Sequence, residues 1–275
     1  MREGSSIVTG SDGVSIPPVE LQHGCLVVAH RGASQTEPEN TLIAFDAALR
    51  AGADAVELDV RLTADGIPVV LHDPDVSATT DGTGLVHTLT LAEVKRLDAS
   101  GGRGPRQEVP TLPEALEVAG RHPGAAVDLE IKNLPGEPAF DSPKEAILLS
   151  CLDALSASGF SGEILISSFN WLTLERSKEL APDLATGFLT IGLIDARAAL
   201  VYAVQHGHDF VLPETPAVLA AGEAFVHEAH GEGIRVGTWV ADDEVLLATL
   251  FGWEVDAVAS NDPVLAVSVR DRVSQ

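Results

Sequence analysis

Two acidic stretches stand out because their spacing sets several charged groups on one face of a strand. Glu57-Leu58-Asp59 lies between Val56 and Val60, and Asp128-Leu129-Glu130-Ile131-Lys132 follows the same alternation. Side chains two apart on a strand share a face, so Glu57 and Asp59 point one way and their apolar neighbours the other. Paired carboxylates in an apolar interior repel and resist ionisation. A hard divalent cation, Mg2+ or Ca2+, removes that penalty, because it prefers carboxylate oxygens and keeps positions for water or substrate. Glu130 is placed to join Glu57 and Asp59 in a three-carboxylate site, with Lys132 just beyond and suited to a phosphate oxygen. Asp128 falls one layer deeper and is expected to make a structural hydrogen bond. The alternative is mutual neutralisation, with the acids paired to Arg or Lys across the interior and Lys132 as their counter-ion.

A second set is His30-Arg31-Gly32, directly after the apolar run Leu26-Val27-Val28-Ala29, together with His72-Asp73. Cleaving a phosphodiester needs a base for the nucleophile and an acid for the leaving alkoxide, and histidine serves both near neutral pH. Arg31 offers a planar fork of donors for phosphate oxygens, and Gly32 lets the backbone pass close to the site. A lone histidine after a strand is more often structural. Two of them beside an arginine and carboxylates favour catalysis. The other seven, among them His87, His206 and His208, fit solvated or capping roles.

These residues need a scaffold that gathers strand ends. Candidate strands are 26–29, 55–59, 126–130, 164–168, 185–189, 209–213, 235–240 and 256–260, with amphipathic segments at 41–51, 143–158, 172–180, 216–230 and 243–251. Eight βα units predict an α/β fold, a (β/α)8 TIM barrel whose chemistry sits at the carboxyl ends of the strands. The run 67–73 follows the second strand too soon for a parallel crossover. With the Thr63-Ala64-Asp65-Gly66 turn it predicts a hairpin insertion that brings His72 and Asp73 to the barrel mouth. Residues 74–106 form a long Gly-, Thr- and Asp-rich connection with a short helix at 91–97, expected to serve as a lid or substrate wall.

The chain has 275 residues, a length that one barrel domain routinely uses. Aromatics are only 4%, so Ala, Val, Leu and Ile must fill the core, as parallel strands under helices require. The formal charge of −24 disfavours nucleic acid and anionic bilayers as partners, while a bound cation can still reverse the field locally for a phosphate. Cys25 and Cys151 have neither metal-type nor redox-type spacing, and the first residues carry no apolar signal core. The expectation is a reduced, cytoplasmic protein without stable membrane anchoring, with a flexible leader at 1–24 and one domain at 25–275. Oligomeric state is not legible.

The motifs, taken in order, resemble the glycerophosphodiester phosphodiesterase family, a phospholipase-C-like phosphodiesterase barrel. They are Val27-Val28-Ala29-His30-Arg31-Gly32-Ala33, Pro38-Glu39-Asn40-Thr41, Glu57-Leu58-Asp59-Val60, Val69-Val70-Leu71-His72-Asp73, Thr79-Thr80-Asp81-Gly82-Thr83-Gly84, Pro110-Thr111-Leu112, Leu129-Glu130-Ile131-Lys132, Ser168-Phe169 and Thr238-Trp239-Val240. The resemblance spans roughly 25–265 and implies metal-dependent hydrolysis of glycerophosphodiesters to an alcohol and sn-glycerol 3-phosphate. It implies one divalent cation on Glu57, Asp59 and Glu130, acid–base work by His30 and His72, and phosphate held by Arg31 and Lys132. Trp239, with Phe169, walls the glycerol pocket. Attack by a glycerol hydroxyl through a cyclic intermediate and direct attack by water both fit. Asn40 also reads as an N-cap for the helix after it, and Glu39 as support for the metal site. Two departures, Ala241 after Trp239-Val240 and Asn261 after Ser260, both expected near the barrel mouth, bear on substrate choice. The alternatives are a related phosphodiesterase acting on lysophospholipids or another phosphodiester, and, further off, a non-catalytic binding module.

Overall fold

The computed structural model describes residues 24–274, so the expected leader lies, apart from Gly24, outside the described residues. Among the described residues, runs rich in valine, isoleucine and alanine form nine strands. They are β1 (Leu26–Ala29), β2 (Ala55–Leu62), β3 (Pro68–Val70), β4 (Ala126–Ile131), β5 (Ile164–Ser168), β6 (Ala185–Thr190), β7 (Phe210–Pro213), β8 (Arg235–Thr238) and β9 (Ala257–Ser260). All but β3 pair in parallel around a closed ring, with β1 bonded to both β9 and β2. This is the expected eight-stranded TIM barrel. β3 pairs antiparallel with β2, Val60 opposite Val70, which makes the expected hairpin arm.

The helices are α1 (Leu42–Arg50), α2 (Leu91–Val94), α3 (Leu112–Gly120), α4 (Ala146–Ser158), α5 (Trp171–Leu180), α6 (Ala196–His206), α7 (Thr215–Ala221), α8 (Glu223–Gly231), α9 (Glu244–Gly252) and α10 (Pro263–Val273). Three of them, α3, α6 and α10, lie outside the segments named from the sequence, although the eight βα units call for helices there and each has a legible start. Thr111 caps α3 in a capping box with Glu114, and Asp195 and Asp262 cap α6 and α10. The single helix expected over 216–230 is two, because Gly222 at φ 78°, ψ 173° leaves helical space at a position only glycine occupies easily.

The main core lies between ring and helices, where outward residues such as Val56, Leu58 and Leu129 meet Phe45, Leu116 and Phe225. Branched side chains usually fill the inside of such a barrel. Here Ala55, Ala126, Ala185, Gly237, Ala257 and Ala259 share the lining with Leu26, Val28, Ile164, Leu165 and Phe210 around a cavity of about 200 Å3. Leu212 is wedged between Gly187 and Gly237, where an added Cβ would come within 2.5 Å of its methyl groups.

The connection 74–106 departs from expectation. None of its residues lines the central cavity. Val76, Val86 and Val94 instead bury Val69 and Leu71 of the hairpin in a small separate core. That apolar face had to be covered, and the long loop is what covers it. Among the described residues no helix is long and apolar enough to cross a membrane.

Candidate active site

β2 and β4 lie side by side with Asp59 opposite Glu130 and Glu57 opposite Asp128. Alternation therefore delivers carboxylates from both strands to the same interior face, as the spacing predicts. Glu57, Asp59 and Glu130 each offer an oxygen within 4.8 Å of the others. All three are buried, and Glu57 Oε1 has no hydrogen-bond partner among the described residues. A buried carboxylate oxygen aimed at two further carboxylates, in an all-oxygen donor set, fits a hard divalent cation. Asp128 lies one layer down and accepts from Ser167 Oγ at 2.6 Å, the structural role expected of it.

The electrostatics show how much strain this cluster carries. Burial pushes the Glu57 carboxyl well above its ordinary range, and Asp59 and Glu130 add to the push. Burial also raises Glu130, to about 7, with Lys132 opposing. Asp59 is just as buried, yet Lys132 and Arg31 outweigh that burial and hold it below the usual carboxylate range. Lys132 Nζ lies 2.8 Å from Asp59 Oδ1 and closer still to Glu130 Oε1. The counter-ion role weighed against phosphate binding is thus visible. The same ammonium lines the cavity, 5.8 Å from the centroid of the Phe169 ring.

Arg31 leaves β1 in left-handed backbone at φ 57°, followed by Gly32 at φ 80°. A Cβ on Gly32 would meet the Ala44 carbonyl carbon at 2.6 Å, so only glycine permits this turn against α1. The turn aims the Arg31 backbone N–H at Glu57 Oε2, 2.8 Å away. It also sets the guanidinium between Glu39 Oε1 at 2.9 Å and Asp59 Oδ2 at 3.4 Å. Asn40 is not the N-cap of α1. Thr41 takes that place, accepting from the Ala44 N–H at 3.4 Å. Asn40, itself left-handed at φ 55°, turns its amide to donate to Asp59 Oδ2 at 2.7 Å.

The two histidines are oriented by hydrogen bonds on their Nδ1 atoms. Asn261 Nδ2 donates to Asp242 Oδ2 at 2.6 Å, which fixes the amide with its oxygen toward His30 Nδ1, 2.8 Å away. An oxygen there accepts, so His30 carries its proton on Nδ1 and presents Nε2 as a lone pair. His72 Nδ1 lies 3.2 Å from Asp73 Oδ1, which imposes the same tautomer. Burial, helped by the charge of Arg31, lowers the pKa of His30, and burial lowers that of His72. Both rings line the cavity with Arg31, Glu57, Glu130 and Lys132. Across it Trp239 stands edge-on to Phe169 with centroids 5.4 Å apart, its indole N–H donating to Leu212 O at 2.9 Å. Ala241, read as a mouth residue, is instead fully buried in the main core.

Sequence reasoning left three side chains without their structural role, among them Arg61, whose Nε donates to the His72 carbonyl at 2.7 Å. Arg61 follows Glu57 and Asp59 on the same face of β2, and alternation alone could have flagged it. Asn261 was noted for substrate choice rather than for its bond to His30. Asp242, which fixes that amide, gave no signal because its role depends on a loop contact.

The glycerophosphoryl diester phosphodiesterase family model matches residues 30–265. A glycerophosphodiester phosphodiesterase of Caldanaerobacter subterraneus is 34% identical over 249 residues, 89% of this chain and 97% of that protein. A glycerophosphodiester phosphodiesterase of Bacillus subtilis is 31% identical over 267 residues, covering 89% of this chain and 86% of that one. Among solved structures, an Oleispira antarctica phosphodiesterase in complex with the product sn-glycerol-3-phosphate superposes with a TM-score of 0.80. It is 32% identical, over 90% of this chain and 96% of that one.

Proposed function

This chain belongs to the glycerophosphoryl diester phosphodiesterase family, and from that premise we propose that it hydrolyses glycerophosphodiesters to an alcohol and sn-glycerol 3-phosphate. The observation that carries the reading is the meeting of two histidines, each with Nδ1 occupied and Nε2 available, at a buried carboxylate triad that fits a cation. The similar Oleispira enzyme holding sn-glycerol-3-phosphate supports the same product here.

Glu57, Asp59 and Glu130 would hold one divalent cation, Mg2+ or Ca2+, which supplies charge neutralisation and Lewis-acid polarisation of the phosphoryl group. Arg31 and Lys132 orient the phosphoryl oxygens, Arg31 through the fork already steadied by Glu39. One histidine removes a proton at Nε2 from the attacking hydroxyl, and the other, protonated at Nε2, gives its proton to the leaving alkoxide. The attacking group in this scheme is the glycerol 2-hydroxyl, giving a cyclic phosphodiester that water opens as the histidines exchange roles. Trp239 and Phe169 wall the glycerol. The expected setting is a reduced cytoplasm, and the expected organisation one catalytic domain from residue 25 onward.

The test is release of glycerol 3-phosphate from a panel of glycerophosphodiesters with added Mg2+ or Ca2+ and an EDTA control. His30→Ala, His72→Ala and Glu57→Ala are each expected to abolish most turnover while folding normally. Parental rates in any of the three would refute the assigned role of that residue. Full activity on a substrate lacking the 2-hydroxyl would eliminate the cyclic route in favour of direct attack by water. Turnover of lysophosphatidylcholine above that of glycerophosphocholine would favour the lysophospholipid alternative.

A further inference from the structure

We propose that Arg61 and Glu137 form a positioning pair that fixes His72 against the carboxylate cluster. The proposal rests on the assignment of His72 to proton transfer. Arg61 is the next residue after Glu57 and Asp59 on the same face of β2, and it is buried at 4% exposure. A buried arginine there needs partners for its nitrogens, and each of the three has one. Nε donates to the backbone carbonyl of His72 at 2.7 Å. The other two nitrogens fork onto Glu137, at 2.6 Å to Oε2 and 3.0 Å to Oε1. A bidentate guanidinium–carboxylate contact fixes direction as well as distance.

The pair therefore ties together three pieces of the site. The Asp59 carbonyl accepts from Leu71 N–H at 2.9 Å, so two successive residues on that face of β2 hold the hairpin on either side of His72. Glu137 lies on the loop after β4, which Asn133 folds back by a pair of hydrogen bonds to the Asp141 backbone, both at 2.9 Å. Asn133 directly follows Lys132. His72 is thus held in register with Asp59 from one side and with the end of β4 from the other. The contact falls on the main chain of His72, so it sets where the imidazole starts from without touching substrate.

The experiment compares Arg61→Met, Arg61→Lys and Glu137→Gln with parent on glycerophosphocholine in saturating Mg2+. Arg61→Met is expected to lower kcat about 10- to 100-fold, the effect of displacing a reacting group by an ångström or less. KM is expected to stay within about twofold, because binding groups are untouched. Arg61→Lys, which cannot fork, is expected to recover only part of the loss. In a His72→Ala background, adding Arg61→Met is expected to change kcat by less than about twofold, since residues acting through one another are non-additive. A merely structural pair would give an additive loss there, and that result overturns the proposal. So does a folded Arg61→Met enzyme with parental kcat beside an inactive His72→Ala. Parental kcat in His72→Ala would instead remove the underlying assignment, and the proposal with it. Should Arg61→Met fail to fold, Glu137→Gln carries the same cycle, with an expected loss of about 3- to 10-fold.

Discussion

Glu57→Gln should separate the stability of the carboxylate triad from its capacity to hold a cation. Glu57 is buried among Asp59 and Glu130, its Oε1 has no partner, and its carboxyl is pushed well above the ordinary range. Its Oε2 accepts from the Arg31 backbone N–H at 2.8 Å, and a glutamine carbonyl in the same place retains that bond. In EDTA the variant should therefore melt at or above the parent, since a neutral isostere replaces a buried carboxyl that resists ionisation and no hydrogen bond is lost. With Mg2+ the order should reverse. A ligand at a hundred times its dissociation constant stabilises the native state by about 2.7 kcal/mol. For a chain of this length that raises Tm by about 5 to 10 °C. The parent should show that rise and Glu57→Gln little of it, so the two melting curves exchange places as Mg2+ is added. Differential scanning fluorimetry across a Mg2+ series reads this directly. A variant markedly less stable than parent in EDTA would show that Glu57 sits in a net favourable ion-pair network. An undiminished Mg2+ shift would show that the cation binds elsewhere. Either result refutes the reasoning.

Further tests address other parts of the site. Burial raises Asp128 and Glu130 to about 7, so with EDTA present these two carboxyls bind more protons in the native state than in the unfolded chain between the unfolded carboxylate values near pH 4 and about pH 7. The contribution of these groups to stability is complete below that window and lost as pH rises through it, against the opposite contribution of His30, His72 and His208, whose imidazoles burial holds low; the urea midpoint of the parent minus that of Asp128→Asn, both in EDTA, should therefore fall across the range. Asn261→Ala removes the acceptor from His30 Nδ1–H and is expected to lower kcat about 10-fold or more, with 15N imidazole shifts reporting a mixed tautomer where the parent has one. Gly32→Ala places a Cβ against the Ala44 backbone at φ 80° and is expected to destabilise by about 3 kcal/mol or more, read as a lower urea midpoint; a change below about 0.5 kcal/mol would contradict the close approach.

Much of the site was legible because strand alternation is a local rule. Once Glu57, Asp59 and Glu130 were assigned to strands, their common face followed, and the pairing of Asp59 with Glu130 bears it out. The hairpin was equally readable, since the turn at 63–66 left no room for a crossover. What escaped depended on contacts between distant segments. Asn40 has the composition of a cap, yet Thr41 competes for the same place, and only the fold shows the amide bonded to Asp59, 19 residues on. The partnership of Arg61 with Glu137 spans 76 residues and meets in a loop with no periodicity to read. Ala241 looked like a mouth residue because it follows Trp239, but the chain turns it into the main core within two positions.

The pairing of β2 with β4 has a consequence for how this chemistry can be inherited or transplanted. The metal-type carboxylates, Lys132 and the arginine that grips His72 all ride on two adjacent strands, in a register that places Asp59 beside Glu130. Deleting one residue early in β2 would rotate every one of its charges toward the helices at once. Loops on the far side of the barrel mouth can change length or sequence without disturbing that register. Variation in the β5 to β9 half, among descendants or by an engineer seeking a new alcohol, therefore leaves the carboxylate register intact, provided that Phe169, Trp239, Asp242 and Asn261 are kept. The β2–β4 ribbon has to be copied whole.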